Sequence, residues 1–127
     1  MRKALLTAAG LLLAFAVQPA SAEGDAAAGE KVFARCKACH TVDEGGASRV
    51  GPNLHGVVGR PAAAKEGFKY SKAMTEAGEG GLVWSEEDLA KYLADPRGFI
   101  KGNRMAFPGL RKQDELDNVI AYLKSNG

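Results

Sequence analysis

Cysteine is scarce in this 127-residue chain, and two residues cannot build a disulfide-dense scaffold. An excess of one charge is also missing. Seventeen Lys+Arg stand against 15 Asp+Glu, and a net charge of +2 is too small to mark a nucleic-acid binder by itself. No stretch alternates apolar and polar residues for long, so nothing reads as strand. No repeat, low-complexity tract or linker divides the chain, and its length allows one domain, not two. A quarter of the residues are charged and 46% are hydrophobic, which excludes a disordered or collagen-like chain.

The long apolar run from Ala4 to Val17 is broken only by Thr7 and Gly10. Arg2 and Lys3 precede it, and Gln18-Pro19-Ala20-Ser21-Ala22 follows. A basic start, an apolar stretch and a small-x-small ending make a secretory signal peptide, with cleavage expected after Ala22. The alternative is a membrane anchor, but 14 helical residues reach only about 21 Å, short of the roughly 30 Å hydrocarbon core. The expected organisation is therefore a leader over residues 1–22 and a single domain over 23–127. Without the leader, 105 residues remain with balanced charge, 15 Gly and only 26 apolar side chains larger than alanine, cysteines aside. Such a core is thin, because Gly and Ala bury little apolar area.

Within the domain, Ala26 to about His40 reads as a first helix, with Gly29 and Phe33 spaced i, i+4. Glycines and prolines punctuate Thr41 to Lys69 as loop. Ser71 to Gly78 reads as a short helix closed by its glycine. Ser85 is an N-cap followed by Glu86, Glu87 and Asp88, with Asp88 at the capping-box position, and Pro96 ends that helix. Lys112 to Ser125 is the clearest helix, because Leu116, Val119, Ile120 and Leu123 fall on one face. The expected class is all-α, with long loops that suggest a ligand around which they are ordered.

Cys36-Lys37-Ala38-Cys39-His40 is a C-x-x-C-H sequence, the signature of c-type haem attachment. Two thiols at this spacing can form thioethers with the two vinyl groups of a porphyrin, and the adjacent imidazole of His40 can face the iron. Three other readings compete. An exported protein permits a structural disulfide. A thioredoxin-like redox pair needs a βαβ context that is not seen here. Zinc would have only His40 and His55 to add to the cysteines, at a spacing foreign to fingers and ribbons. His55, between Leu54 and Gly56, reads as structural or surface rather than as an iron ligand.

Two methionines remain beyond the leader. Met105 lies in Gly102-Asn103-Arg104-Met105-Ala106-Phe107-Pro108-Gly109, an irregular loop suited to bringing a thioether onto a haem face. Met74 reads as core filler. A His/Met pair fills both axial positions and raises the reduction potential.

The segments CKACHTVDEGG, GPNLHGVVGR, GFKY, LVWSEEDLAKYLADP, GNRMAFPG and VIAYLK are separate, ordered and correctly spaced. Together they resemble the class I cytochromes c, over nearly all of residues 24–127, and are similar to the bacterial c2 and c550 types and to the mitochondrial type. The resemblance implies a small cytochrome c fold around one covalent haem c, held by Cys36 and Cys39 and ligated by His40 and Met105. It implies that the Pro52 carbonyl accepts from His40, and that Arg60, Tyr70 and Trp84 surround a buried propionate. Tyr92 would lie beside the Met105 sulfur. Leu54 and Phe107 would pack near the haem, and Gly29 and Phe33 would cross the last helix at Val119 and Tyr122. Asn103 and Met74 depart from the family pattern, where Thr and Asn are frequent.

The function so implied is one-electron transfer in the periplasm, not catalysis, by a monomer that binds no nucleic acid. Its expected partners are membrane redox complexes with acidic faces, such as a bc1-type donor and a terminal oxidase or photosynthetic reaction centre. They would be met through a basic rim including Arg35, Lys37, Arg97, Lys101 and Arg104. The alternative is a haem enzyme or gas binder, which requires that Met105 leave the iron open.

Overall fold

Among the described residues of the computed structural model, four of the five helices begin where a side chain accepts from free N–H groups, and only the last starts without such a cap. The structure describes residues 24–127 and the isolated position Ala14; apart from Ala14, the expected leader and its cleavage site lie outside the described residues. Helix α1 spans Ala26–Phe33, and the Asp25 carboxylate accepts from the Ala27 and Ala28 amides at its start. Helix α2 spans Lys72–Glu79 behind Ser71, whose hydroxyl accepts from Met74 N. Helix α3 spans Glu86–Ala94 behind Ser85, helix α4 is the short turn Pro96–Phe99, and helix α5 spans Gln113–Ser125. Among the described residues the only β feature is an antiparallel bridge between Pro61 and Val83.

The all-α reading holds, with four local differences. Helix α1 stops at Phe33, and the C-x-x-C-H segment forms tight turns instead of continuing the helix. His40 N and Cys39 N both donate to Cys36 O in those turns. Gly78 lies inside α2, where a Cβ would overlap Ala62 O, and it is Gly80 that caps the helix. The capping box at α3 is half-formed: Ser85 Oγ accepts from Asp88 N, but Ser85 N donates to Val83 O. Pro96 does end α3, yet it also starts α4, since proline suits a first helical position.

The frame of the domain is the crossing of α1 over α5. Phe33 is almost fully buried and its ring lies 5.3 Å from that of Tyr122, while Val119 is 2% exposed. Gly29 lies against the α5 backbone, where a Cβ would overlap the Asn118 carbonyl. The expected crossing at Gly29 and Phe33 is therefore present. The Arg35 guanidinium spans from the end of α1 to Glu115 at 2.8 Å. On the other side, Gly59, Ala62 and Trp84 exchange backbone hydrogen bonds with the Arg60 and Leu82 segments, which folds the long loop onto the start of α3.

Substituting Gly29→Ala forces the two helices apart and is expected to lower the unfolding free energy by about 1–3 kcal/mol. At Gly80, whose φ is −75° and whose Cβ would meet only its own helix, alanine should cost less than about 0.5 kcal/mol. Denaturant unfolding of both variants checks the contrast; equal effects would remove close helix approach as the reason for Gly29.

Candidate haem site

The helices and the two long loops enclose a cavity of about 700 Å³, within the range of small-molecule and cofactor sites. Cys36, Cys39 and His40 approach it from the turns after α1, and Pro52, Leu54 and Arg60 from the first long loop. Tyr70 lies before α2, Trp84 before α3 and Tyr92 within α3, while Met105 and Phe107 belong to the second long loop. Every site residue expected from the sequence lines this one cavity.

The two cysteines are free and half-buried. Burial pushes the Cys36 thiol above its ordinary pKa; Arg35 opposes this and Cys39 adds to it. A protonated thiol in an apolar wall does not suit a redox-active pair, which requires a stabilised thiolate. Among the described residues no group of three or more His, Cys, Asp or Glu is arranged to hold a metal ion.

His40 Nδ1 donates to Pro52 O at 2.8 Å, which fixes the ring and leaves Nε2 as the free donor atom. Burial pushes the imidazole below its ordinary pKa, partly offset by that hydrogen bond, so the neutral, ligating form is favoured. Gly51 presses on the same ring, and any Cβ there would overlap it. The imidazole is thus oriented by backbone on two sides.

Met105 is half-buried in a segment without regular secondary structure. The Tyr92 hydroxyl lies 3.8 Å from its sulfur and donates to it. Trp84 packs on Tyr92 at 4.9 Å between ring centroids, and Phe99 on Tyr92 at 6.3 Å, so the hydroxyl is aimed by an aromatic cluster. Burial pushes the Tyr92 phenol up to about 12, so it remains a donor through neutral and mildly alkaline pH. The far end of the loop is seated on α3. Leu110 N donates to Leu93 O, and Gly109 has φ 113° with its Cα against Ala94 O, a placement that admits no side chain.

Arg60 is half-buried, and its guanidinium donates to His55 O and Asn53 O. Its charge lies beside Tyr70 and Trp84 at the cavity wall, a fit for the anionic edge of a ligand. Burial disfavours its charged form and Tyr70 opposes the effect. His55 does not reach the cavity; its Nδ1 pairs with Val42 O at 3.2 Å. Met74 is 9% exposed, as expected of core, and also faces the cavity. Sequence reasoning missed Val57, Phe68 and Leu110 as wall residues. Phe68 packs edge-on to Tyr70 at 4.8 Å, a pairing that the aromatic spacing in GFKY could have suggested.

A cavity walled by apolar side chains, with two thiols, a fixed imidazole and a thioether at its lining, has the donor set of a covalent His/Met haem pocket. The sequence model of the family described as Cytochrome c matches residues 26–127. The chain belongs to the cytochrome c family. It is 50% identical over 135 residues to cytochrome c2 of Rhodospirillum rubrum, covering 98% of each chain. Among solved structures it is similar to cytochrome cH from Methylobacterium extorquens, with TM-score 0.73, 46% identity, and coverage of 80% of this chain and 99% of that one. It is also similar to cytochrome c2 from Rhodospirillum centenum, with TM-score 0.78, 38% identity, and coverage of 81% and 98%. Cytochromes c of this family bind one covalent c-type haem and are electron carriers rather than enzymes.

The Tyr92 phenol carries a pH dependence of known sign. Its folded pKa of about 12 exceeds the ordinary 10.0, so its contribution to stability is complete below pH 10 and is lost as pH rises through about 12. Wild type is expected to lose roughly 2–3 kcal/mol more than Tyr92→Phe across that window. Unfolding free energies of both proteins at the two ends of the window measure it, and parallel losses would contradict it.

Proposed function

We propose that this chain is a periplasmic one-electron carrier whose haem is attached through Cys36 and Cys39 and ligated by His40 and Met105. The observation that carries the reading is the convergence of these four side chains on one cavity, with Met105 lying 65 residues beyond His40. A haem held by these residues would supply one exchangeable electron. The chain supplies orientation and seclusion. Pro52 O and Gly51 hold the His40 ring, and Tyr92 holds the Met105 sulfur. Arg60, Tyr70 and Trp84 offer polar groups to a propionate, and Leu54 and Phe107 exclude water. With His40 and Met105 both committed to the iron, no position would be left for oxygen or a substrate.

Residues 1–22 act as the export leader in this reading, and 23–127 form the cytochrome c domain. Two contacts support a domain that starts close to that boundary. Asp25 N donates to the Asn118 side chain, and Gly24 packs on the α5 backbone at Asp117. Lys37, Arg97, Lys101 and Arg104 are exposed, while Arg35 is paired with Glu115 and offers a screened charge to a partner. The rim formed by these residues suits transient docking on acidic faces of membrane redox complexes, with a bc1-type donor and an oxidase or reaction-centre acceptor.

Protein expressed with a haem-maturation system should carry a Soret band that survives denaturation, and the double change Cys36→Ser, Cys39→Ser should abolish this covalent attachment. Reduced wild type should not bind carbon monoxide, whereas Met105→Ala should bind it readily. Ready binding by wild type would instead support a gas binder or haem enzyme. Oxidation by an isolated membrane oxidase should slow several-fold as ionic strength rises from about 0.01 to 0.1 M. A flat response would remove the docking rim from the proposal.

A further inference from the structure

The segment that carries Met105 lacks the repetitive backbone bonding that would set the place of its sulfur. From Asn103 to Lys112 the chain is in neither helix nor turn. The Asn103 carboxamide supplies the missing constraint. Its Nδ2 donates to Pro96 O and to Ile100 O, both at 2.8 Å, and its Oδ1 accepts from Met105 N at 2.9 Å. Both amide hydrogens and the carbonyl are therefore engaged. The two carbonyls it reaches belong to a firm part of the protein, since Pro96 is almost fully buried and Ile100 is 7% exposed.

We infer that Asn103 is a positioning residue that fixes Met105 on the cavity wall by tying its main chain to α4. The inference rests on the reading that Met105 is an iron ligand. A simple helix cap would need only the two donor bonds at the end of α4. The third bond runs forward to the residue that bears the thioether, and it is this bond that gives Asn103 its role. Tyr92 restrains the sulfur and Asn103 the backbone nitrogen four bonds behind it, so the two ties act on different atoms. Arg104, between them, donates to Lys69 O at 2.7 Å, but it is exposed and reaches away from α4.

The chemistry of the carboxamide predicts an ordered series. Alanine removes all three bonds. Threonine keeps an acceptor for the amide two residues ahead and a single donor. The test is competition by imidazole for the Met105 position in the oxidised holoprotein, followed through the weak red absorption band of a thioether on ferric iron. Asn103→Ala should bind imidazole about tenfold more tightly than wild type, and Asn103→Thr within about threefold of it. Ile120→Val, a buried α5 change outside the cavity, should lower global stability without changing imidazole affinity.

An alanine variant within about threefold of wild type, or an Ile120→Val shift as large as the alanine one, would overturn the positioning role. Should Asn103→Ala fail to fold, hydrogen exchange in wild type still decides. The Met105 amide should exchange at least about tenfold more slowly than that of Ala106, and equal rates would refute the tie. A wild type without the red band would instead remove Met105 as a ligand, a failure recognisable before any variant is made.

Discussion

A short chain that surrounds a cavity of about 700 Å³ must use its one cluster of buried apolar residues as the wall of that cavity as well as its core. This constraint governs the rest of the structure. Only 26 larger apolar side chains lie beyond the expected leader, and many of them form walls instead of filling a centre. Trp84, Leu89, Tyr92, Leu110 and Leu123 are buried against the domain while lining the cavity. In this family a porphyrin supplies the apolar surface that the side chains do not. Helix α3 packs more lightly on α4 and α5, and the most extensive packing of helix on helix is the α1–α5 crossing. It needs Gly29 because close approach of the two backbones is the cheapest way for so few side chains to exclude water.

The loops obey the same constraint by a different route. Side-chain amides and guanidinium groups hold them where helices and strands do not. Asn53 is 1% exposed, and its Nδ2 donates to Thr41 Oγ1 and Asp43 O while its Oδ1 accepts from His55 N. Arg60 closes the same loop by donating to two of its carbonyls. Among the described residues no buried side-chain N or O atom is left without a partner. Buried polar networks of this kind are costly when incomplete and rigid when complete, which is how a loop can serve as a wall.

How much of this was legible in the sequence follows from the range of each interaction. The cap at Ser85 acts over three residues, so it marks a helix start that can be read directly. The periodic apolar face of α5 is similarly local, and its start is displaced by only one residue. The C-x-x-C-H chemistry is contained within five positions. Beyond that range the residues themselves say less, and the crossing of Gly29 and Phe33 over α5 comes only from the resemblance. Helix α4 is one turn long and has no periodicity to detect. The first helix was read too long because the turns from Ala34 to Cys39 retain local hydrogen bonding without helical repetition. Arg60 is placed at a propionate by the resemblance alone. Its two bonds to loop carbonyls were visible only in three dimensions.

The two donor atoms proposed for the iron are secured by different physics, and the difference sets which side gives way first. His40 is held by a short hydrogen bond to a backbone carbonyl and by direct contact with the Gly51 backbone, both beside the attachment cysteines. Displacing it would require moving the main chain of the first loop, which Asn53 and Arg60 also tie down. Met105 is held by side-chain ties from Asn103 and Tyr92, and the latter contact is a weak one to sulfur at 3.8 Å. Side-chain rotation can release such ties at less cost than main-chain rearrangement. Partial unfolding, alkaline stress or competing ligands should therefore act on the 102–109 loop before they reach the His40 side. The coordination asymmetry between strong imidazole and weak thioether is matched by a mechanical asymmetry in the protein that presents them.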